Sequence, residues 1–184
     1  MPILAILLFI LVAAAIWAVM IYNNLISLRN QVDESWANID VQLKRRYDLI
    51  PNMVETVKGY ASHEKGVFEA VTQARANAIG AQTVEAQAKA EEGLSKALKS
   101  LFAVAENYPQ LRAADNFASL QSQLTETENK IEESRTIYNN VVRTYNIQIQ
   151  VFPNVIIADQ FKFTRRDLFE VKEEIVREAP KVKF

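Results

Sequence analysis

The sequence predicts an all-α protein: an N-terminal transmembrane helix continuous with an antiparallel, up-and-down four-helix bundle, plus a short C-terminal amphipathic helix. An uncharged apolar run opens the chain, and apolar residues then recur every three or four positions. Only four glycines and five prolines interrupt the 184 residues, which favours long helices over a turn-rich β fold. We divide the chain into an anchor (residues 1–22), a four-helix bundle (23–152) and a C-terminal segment (153–184) packed on the membrane-proximal end.

The anchor is a run of 20 residues, 3–22, without a charged side chain. As a helix it would be about 30 Å long, the thickness of the hydrocarbon core of a bilayer. A cleaved signal peptide is the alternative, with residues 13–15 as its cleavage site, but a basic n-region is lacking and the apolar run continues beyond that site. The predicted membrane-spanning residues include Ile3, Leu8, Phe9, Ala14, Trp17 and Tyr22.

The first bundle helix is predicted to continue directly from the anchor. Its stripe follows an eleven-residue repeat, which produces a nearly straight seam in a helix. Pro51 should kink this helix, yet Val54 and Val57 keep the same phase, so we expect it to resume and end near Gly59. The residues of the stripe are Leu25, Leu28, Val32, Trp36, Ile39, Leu43, Tyr47 and Ile50.

Three further bundle helices follow. Ser62 is predicted to cap a second helix that stops at Gly80, and Thr83 to cap a third that Pro109 closes. The fourth helix should occupy residues 115–152, about as long as the first. Because the middle helices are shorter, part of the long pair should expose an apolar stripe in a monomer, which predicts packing against another copy as in a coiled coil.

The C-terminal segment should lie close to the bilayer, because the fourth helix returns toward the anchor. Phe161 and Phe163 are therefore candidates for contact with lipid or a partner, with docking onto the bundle as the alternative. Thr164 is predicted to cap the last amphipathic helix. Its apolar face would contain Leu168, Phe169, Ile175 and Val176, before Pro180.

Lys44, Arg45 and Arg46 form a basic cluster that could bind lipid headgroups or an acidic partner. The stripe places Leu43 and Tyr47 inside, so this cluster should face outward, about 30 Å from the membrane. A salt-bridged surface is the alternative. Basic residues follow the anchor and none precedes it, which predicts an outside N-terminus and a cytoplasmic bundle.

Two Tyr-Asn pairs, at 138–139 and 145–146, are spaced seven residues apart and so share one helix stripe. Polar groups in such a seam typically set register. A contact between subunits through Asn129 and Asn139 is the alternative.

The composition argues against most kinds of catalytic, metal-binding and nucleic-acid-binding site. The net charge of −1 disfavours nucleic-acid binding, and a chain without cysteine has no thiol catalysis, disulfides or thiolate metal sites. His63 is the one histidine, and we interpret it as a surface or capping residue. Glu126, Glu128 and their neighbours are interpreted as a solvated face. We predict no catalytic, cofactor-binding or metal-binding residues and no enzymatic activity.

Several segments resemble the LemA family of bacterial membrane proteins: YNNLISLRNQV from Tyr22, IDVQLKRRYDLIPN from Ile39, FPNVIIADQF from Phe152 and the closing PKVKF. The resemblance implies a single-pass protein of the bacterial inner membrane whose helical bundle faces the cytoplasm, with no established enzymatic activity. The family often has a glycine between the two phenylalanines of the C-terminal segment. Lys162 occupies that position here, which argues against a tight backbone turn.

The leading functional hypothesis is a membrane-anchored scaffold or interaction protein that self-associates. A regulatory adaptor for another membrane protein or an envelope-stress system is the alternative, and an enzyme or metalloprotein is the least favoured class.

Overall fold

The computed structural model describes residues 2–170, and all regular secondary structure in this range is helical. This outcome confirms the predicted all-α class. The helices are α1 (Pro2–Lys58), α2 (Lys65–Ile79), α3 (Val84–Glu106), α4 (Pro109–Arg112), α5 (Asp115–Gln148) and α6 (Asn154–Gln160).

The anchor and the first bundle helix are one element, α1, which contains 57 residues. Among the described residues it is the one helix long and apolar enough to cross a membrane, and its most apolar window is wholly exposed. The helix also continues across Pro51, as the retained phase of Val54 and Val57 predicts. Pro51 has no N–H for the carbonyl of Tyr47, four residues earlier. Arg75 of α2 replaces that donor, with its Nε 2.8 Å from the Tyr47 oxygen.

The half of the bundle far from the anchor contains four helices. The end of α1, the hairpin of α2 and α3, and the start of α5 share one apolar core. Short turns join these helices, and α2 runs back along α1, so that Arg75 near its end contacts Tyr47. Ion pairs then connect α1 with both α3 and α5. The fully buried residues of this core include Met53, Val57, Val71, Leu94, Leu101 and Leu111.

The half near the anchor contains only α1 and α5 as long helices, and α3 contributes to its core only through Val84 and Ala88 in its first turns. Residues 161–170, which we call the strap, lie along these helices, and Phe169 of the strap is fully buried. The expectation that the long pair exposes its stripe is therefore wrong over this stretch. The predicted helix beginning at Thr164 is also wrong in its first turn, since residues 164–168 have no regular structure. Ile175, Val176 and Pro180 lie outside the described residues.

The observed helix ends agree only in part with the ends predicted from the sequence. Thr83 caps α3 as predicted, accepting a hydrogen bond from the Ala86 N–H at 3.2 Å. Ser62 does not cap α2, because it lies in a turn and the helix begins at Lys65. The predicted end of the fourth helix at residue 152 is four residues too late, since α5 ends at Gln148.

A tight turn links α6 to the strap, although the sequence argued against one. The Phe163 N–H donates to the Ala158 carbonyl at 2.9 Å, and the Lys162 N–H donates to the Asp159 carbonyl at 3.2 Å. This pair of bonds is a Schellman motif, which places one residue in the left-handed region. Lys162 adopts that conformation with φ 56°, so lysine accepts a position that favours glycine.

Candidate functional site

The groove between α1 and α5 holds the strap through its backbone. Asn146 donates from Nδ2 to the Arg166 carbonyl at 2.8 Å and accepts from the Arg166 N–H at 2.9 Å. Asn139 makes the same pair of bonds with Phe169, at 3.3 and 2.8 Å. Each side-chain amide thus satisfies both backbone groups of one strap residue, as a neighbouring β-strand would.

Two tyrosine hydroxyls donate further hydrogen bonds to backbone carbonyls of the strap. Tyr138 donates to the Asp167 carbonyl at 2.9 Å, and Tyr145 donates to the Thr164 carbonyl at 3.0 Å. Seven residues of helix advance about 10.5 Å, and three extended residues advance about 10 Å. The seven-residue spacing of the Tyr-Asn pairs therefore fits an extended chain running antiparallel to α5.

These contacts show what the Tyr-Asn pairs bind within one chain. The stripe holds the strap of the same chain, and the Asn139 amide is occupied by Phe169 of that strap, while a subunit contact through Asn129 and Asn139 stays a prediction. Burial raises the pKa of Tyr138 and of Tyr145, which keeps both hydroxyls protonated as donors. Aromatic rings close the groove, with Trp36 5.4 Å from Tyr138 and 5.6 Å from Phe169 between ring centroids.

The strap begins beside the end of the apolar span. The rings of Phe161 and Phe163 lie 4.6 and 5.9 Å from that of Tyr22, and the Arg29 guanidinium stacks over Phe163 at 5.6 Å. Ala158 of α6 is buried in the same cluster as Ile21 and Leu25. The structure thus places the two phenylalanines beside Tyr22, at the downstream end of the apolar run. The remaining predicted spanning residues, from Ile3 to Trp17, are exposed.

The basic cluster does not form one outward surface. Lys44 is exposed and Arg45 pairs with Glu126 at 3.6 Å, but Arg46 is only 3% exposed. The prediction that Arg46 faces outward is wrong. Its guanidinium contacts Glu91 of α3 at 2.9 Å and Glu128 of α5 at 3.2 Å, so it joins three helices. This cluster also lies about 35 Å along α1 from Tyr22, far from Phe161 and Phe163.

Glu91 is the centre of this buried network. It accepts hydrogen bonds from Arg46, from the Tyr47 hydroxyl and from Gln87 Nε2, the last at 3.0 Å. Burial, followed by the hydrogen bond to Glu91, raises the pKa of Tyr47 far above its ordinary value. Both charges are thereby paired and hydrogen-bonded, which a buried ion pair requires. Sequence reasoning missed Glu91, because a glutamate between lysines on an alanine-rich helix resembles a solvated residue.

The opposite face of the α1–α5 pair carries a shallow groove with two exposed apolar side chains. Val41 and Ile137 are 62% and 51% exposed, and both line this groove together with Gln42. The Gln42 Oε1 atom is buried without a hydrogen-bond partner within residues 2–170. We call this surface the outer face.

The described residues contain no cluster of three or more His, Asp or Glu side chains arranged to hold a metal ion. His63 is exposed in the turn before α2, as interpreted from the sequence. The Asn and Tyr side chains that bind the strap, and the side chains of the Arg46–Glu91 network, are hydrogen-bonded within the chain. The arrangement is thus suited to holding helices and chain segments together.

The fold and the exposed span together suggest a membrane-associated helical-bundle protein. The sequence model of the LemA family matches residues 35–184, and the chain belongs to this family. It is 25% identical over 177 residues to magnetosome protein MamQ 2 of Paramagnetospirillum magneticum, covering 82% of this chain and 65% of that protein. The chain therefore spans just under two thirds of that relative's length.

Two other relatives match this chain with similar identity and coverage. Magnetosome protein MamQ of Magnetospirillum gryphiswaldense is 25% identical over 188 residues, which covers 88% of this chain and 69% of that protein. Protein LemA of Metamycoplasma hominis is 24% identical over 155 residues, which covers 82% of this chain and 69% of that protein.

Proposed function

We propose that this protein is a non-enzymatic scaffold of the bacterial inner membrane, anchored once by α1, with a cytoplasmic bundle that self-associates. The observation that carries the proposal is the continuity of α1, whose exposed apolar half and bundle half form one helix. Any packing between bundles would therefore place their anchors side by side. Anchoring also confines the copies to one plane and one orientation, which raises their effective concentration.

The outer face supports self-association. Val41 and Ile137 expose apolar surface, and a second copy that covered both side chains would remove this surface from water.

Cysteine cross-linking in native membranes tests this proposal, and the absence of native cysteine makes each introduced thiol unique. Val41→Cys and Ile137→Cys should give dimers with a short bismaleimide. Gly93→Cys on α3 is the matched control, because it is exposed and a Cβ there meets no atom within 4 Å. Equal yields at all three positions would contradict a specific face.

The regulatory adaptor remains the competing proposal. Affinity capture of the full chain with its anchor retained distinguishes the two, because an adaptor should bring down one stoichiometric partner in place of copies of itself. The same Gly93 thiol reports orientation: a cytoplasmic bundle should be protected from a membrane-impermeant maleimide in intact cells. Labelling in intact cells would contradict the proposed topology.

A further inference from the structure

The surface around α6 combines exposed apolar side chains with a position beside the anchor. Phe152 and Ile156 are 81% and 58% exposed, and Phe161 is also exposed. Three large apolar side chains on so short a stretch are unusual for a surface that meets only water. Apart from Asp159, α6 carries no charge.

The level of this surface along α1 is fixed by contacts. The α6 residue Ala158 packs in one cluster with Ile21 and Leu25, and Phe161 lies 4.6 Å from Tyr22 between ring centroids. Met20, one residue before this cluster, is exposed like the rest of the span. From Met20 to Leu25 the helix advances about 7.5 Å, which matches the roughly 5–10 Å depth of the interfacial layer of a bilayer.

We propose that α6 and its flanking residues form a lipid-contacting platform, in which Phe152, Ile156 and Phe161 enter the interfacial layer of the bilayer that α1 spans. Aromatic and aliphatic side chains at this depth exchange water for lipid, as the side chains of interfacial helices do. Lys162 and Arg165, both exposed, follow at the start of the strap, where their charges reach the headgroups. The platform holds the bundle at a set height and tilt relative to the membrane.

We assign lipid as the partner of the platform because the platform is continuous with the membrane span of α1. The run of exposed apolar side chains on α1 ends at Met20, beside α6, so a bilayer around residues 3–20 must border the platform. A second copy would instead have to contact this surface at the membrane boundary itself. That alternative gives a different experimental result.

Site-directed spin labelling of the full chain in phosphatidylcholine and phosphatidylglycerol bilayers tests the platform. Nitroxides attached to Phe152→Cys and Ile156→Cys should collide with oxygen several-fold more often, relative to a water-soluble nickel chelate, than a nitroxide at Ile79→Cys. Ile79 is a matched control because it is an exposed isoleucine (52%) about 30 Å from the span. Its level follows from Arg75, one turn earlier, which contacts Tyr47.

Ala14→Cys within the span separates failure of the platform from failure of anchoring. Lipid exposure at residue 14 with water exposure at 152 and 156 would overturn the platform while leaving the anchor intact. Immobilised spectra at 152 and 156 with low access to both reagents would overturn it in favour of a protein contact. Water exposure at residue 14 would overturn both the anchor and the platform. All three substituted bundle residues are exposed, so circular dichroism should show an unchanged fold.

Discussion

Arg75 should stabilise the bundle mainly because Pro51 is present. Proline at 51 leaves the Tyr47 carbonyl without its helical donor, and the partly buried Arg75 Nε supplies one at 2.8 Å. Replacing Arg75 with methionine keeps the aliphatic stem but removes the donor. The orphaned carbonyl and the lost charged hydrogen bond together predict a loss of about 1–3 kcal/mol in the free energy of unfolding.

The same substitution should cost less when residue 51 has an N–H. In a Pro51→Ala background the new backbone N–H at position 51 can bond to the Tyr47 carbonyl within α1, so Arg75→Met should cost under about 1 kcal/mol. The difference is the coupling energy of a double-mutant cycle. Urea unfolding of the full chain in detergent micelles, followed by circular dichroism, measures all four free energies.

Arg143→Met is the control for losing a positive charge, because Arg143 is exposed and its guanidinium donates to Asn140 of its own helix at 3.3 Å. It should change the free energy of unfolding by less than about 0.5 kcal/mol in both backgrounds. An equal cost of Arg75→Met with proline and with alanine at position 51 would refute the reasoning, since Arg75 would then act independently of the proline.

Three other substitutions, two of them paired with a control variant, test the remaining contacts. Arg46→Met should lower the free energy of unfolding by about 3–5 kcal/mol, because it leaves Glu91 buried without its cation, whereas Arg45→Met should cost under about 1 kcal/mol. Thermal unfolding measures both, and similar losses would contradict the burial of Arg46. Asn146→Ala should speed hydrogen exchange at the Arg166 amide about tenfold or more, whereas Asn140→Ala should leave it unchanged. Lys162→Gly should stabilise by about 0.5–1 kcal/mol by relieving the left-handed conformation, and a lower melting temperature would count against that interpretation.

The sequence was sufficient to predict the elements whose signals are local and periodic. The phase shared by Leu25, Ile39 and Ile50, and continued past Pro51 by Val57, predicted one long helix, because burial of a stripe follows directly from helical spacing. The hydroxyl of Thr83, placed just before an amphipathic run, predicted the start of α3 for an equally local reason.

The sequence was insufficient where a tertiary contact replaces a local preference. Arg46 lies next to the buried stripe, and the approach of Glu91 from α3 and of Glu128 from α5 makes its burial favourable. The strap lacks helical structure at Thr164 because Asn139, Asn146 and two tyrosines bind its backbone in extended form, and no local pattern specifies those partners. The seven-residue spacing of the Tyr-Asn pairs was a visible signal, but it did not reveal what the pairs hold.

The platform and the outer face depend on different surfaces of the same rod. In the two proposals, the first would set the height of the bundle above the membrane through the exposed Phe152 and Ile156, and the second would join bundles through the exposed Val41 and Ile137. Because α6 lies beside Ile21, and Val41 is about 30 Å further along α1, substitutions in one surface should leave the other intact.

The mass of the full chain in lipid nanodiscs, measured over a range of loading ratios, tests self-association most directly. A self-associating scaffold predicts a discrete particle containing two or more chains that persists at low loading. Its population should fall when Val41 and Ile137 are replaced by glutamate. A strictly monomeric particle at every loading ratio would contradict the proposal.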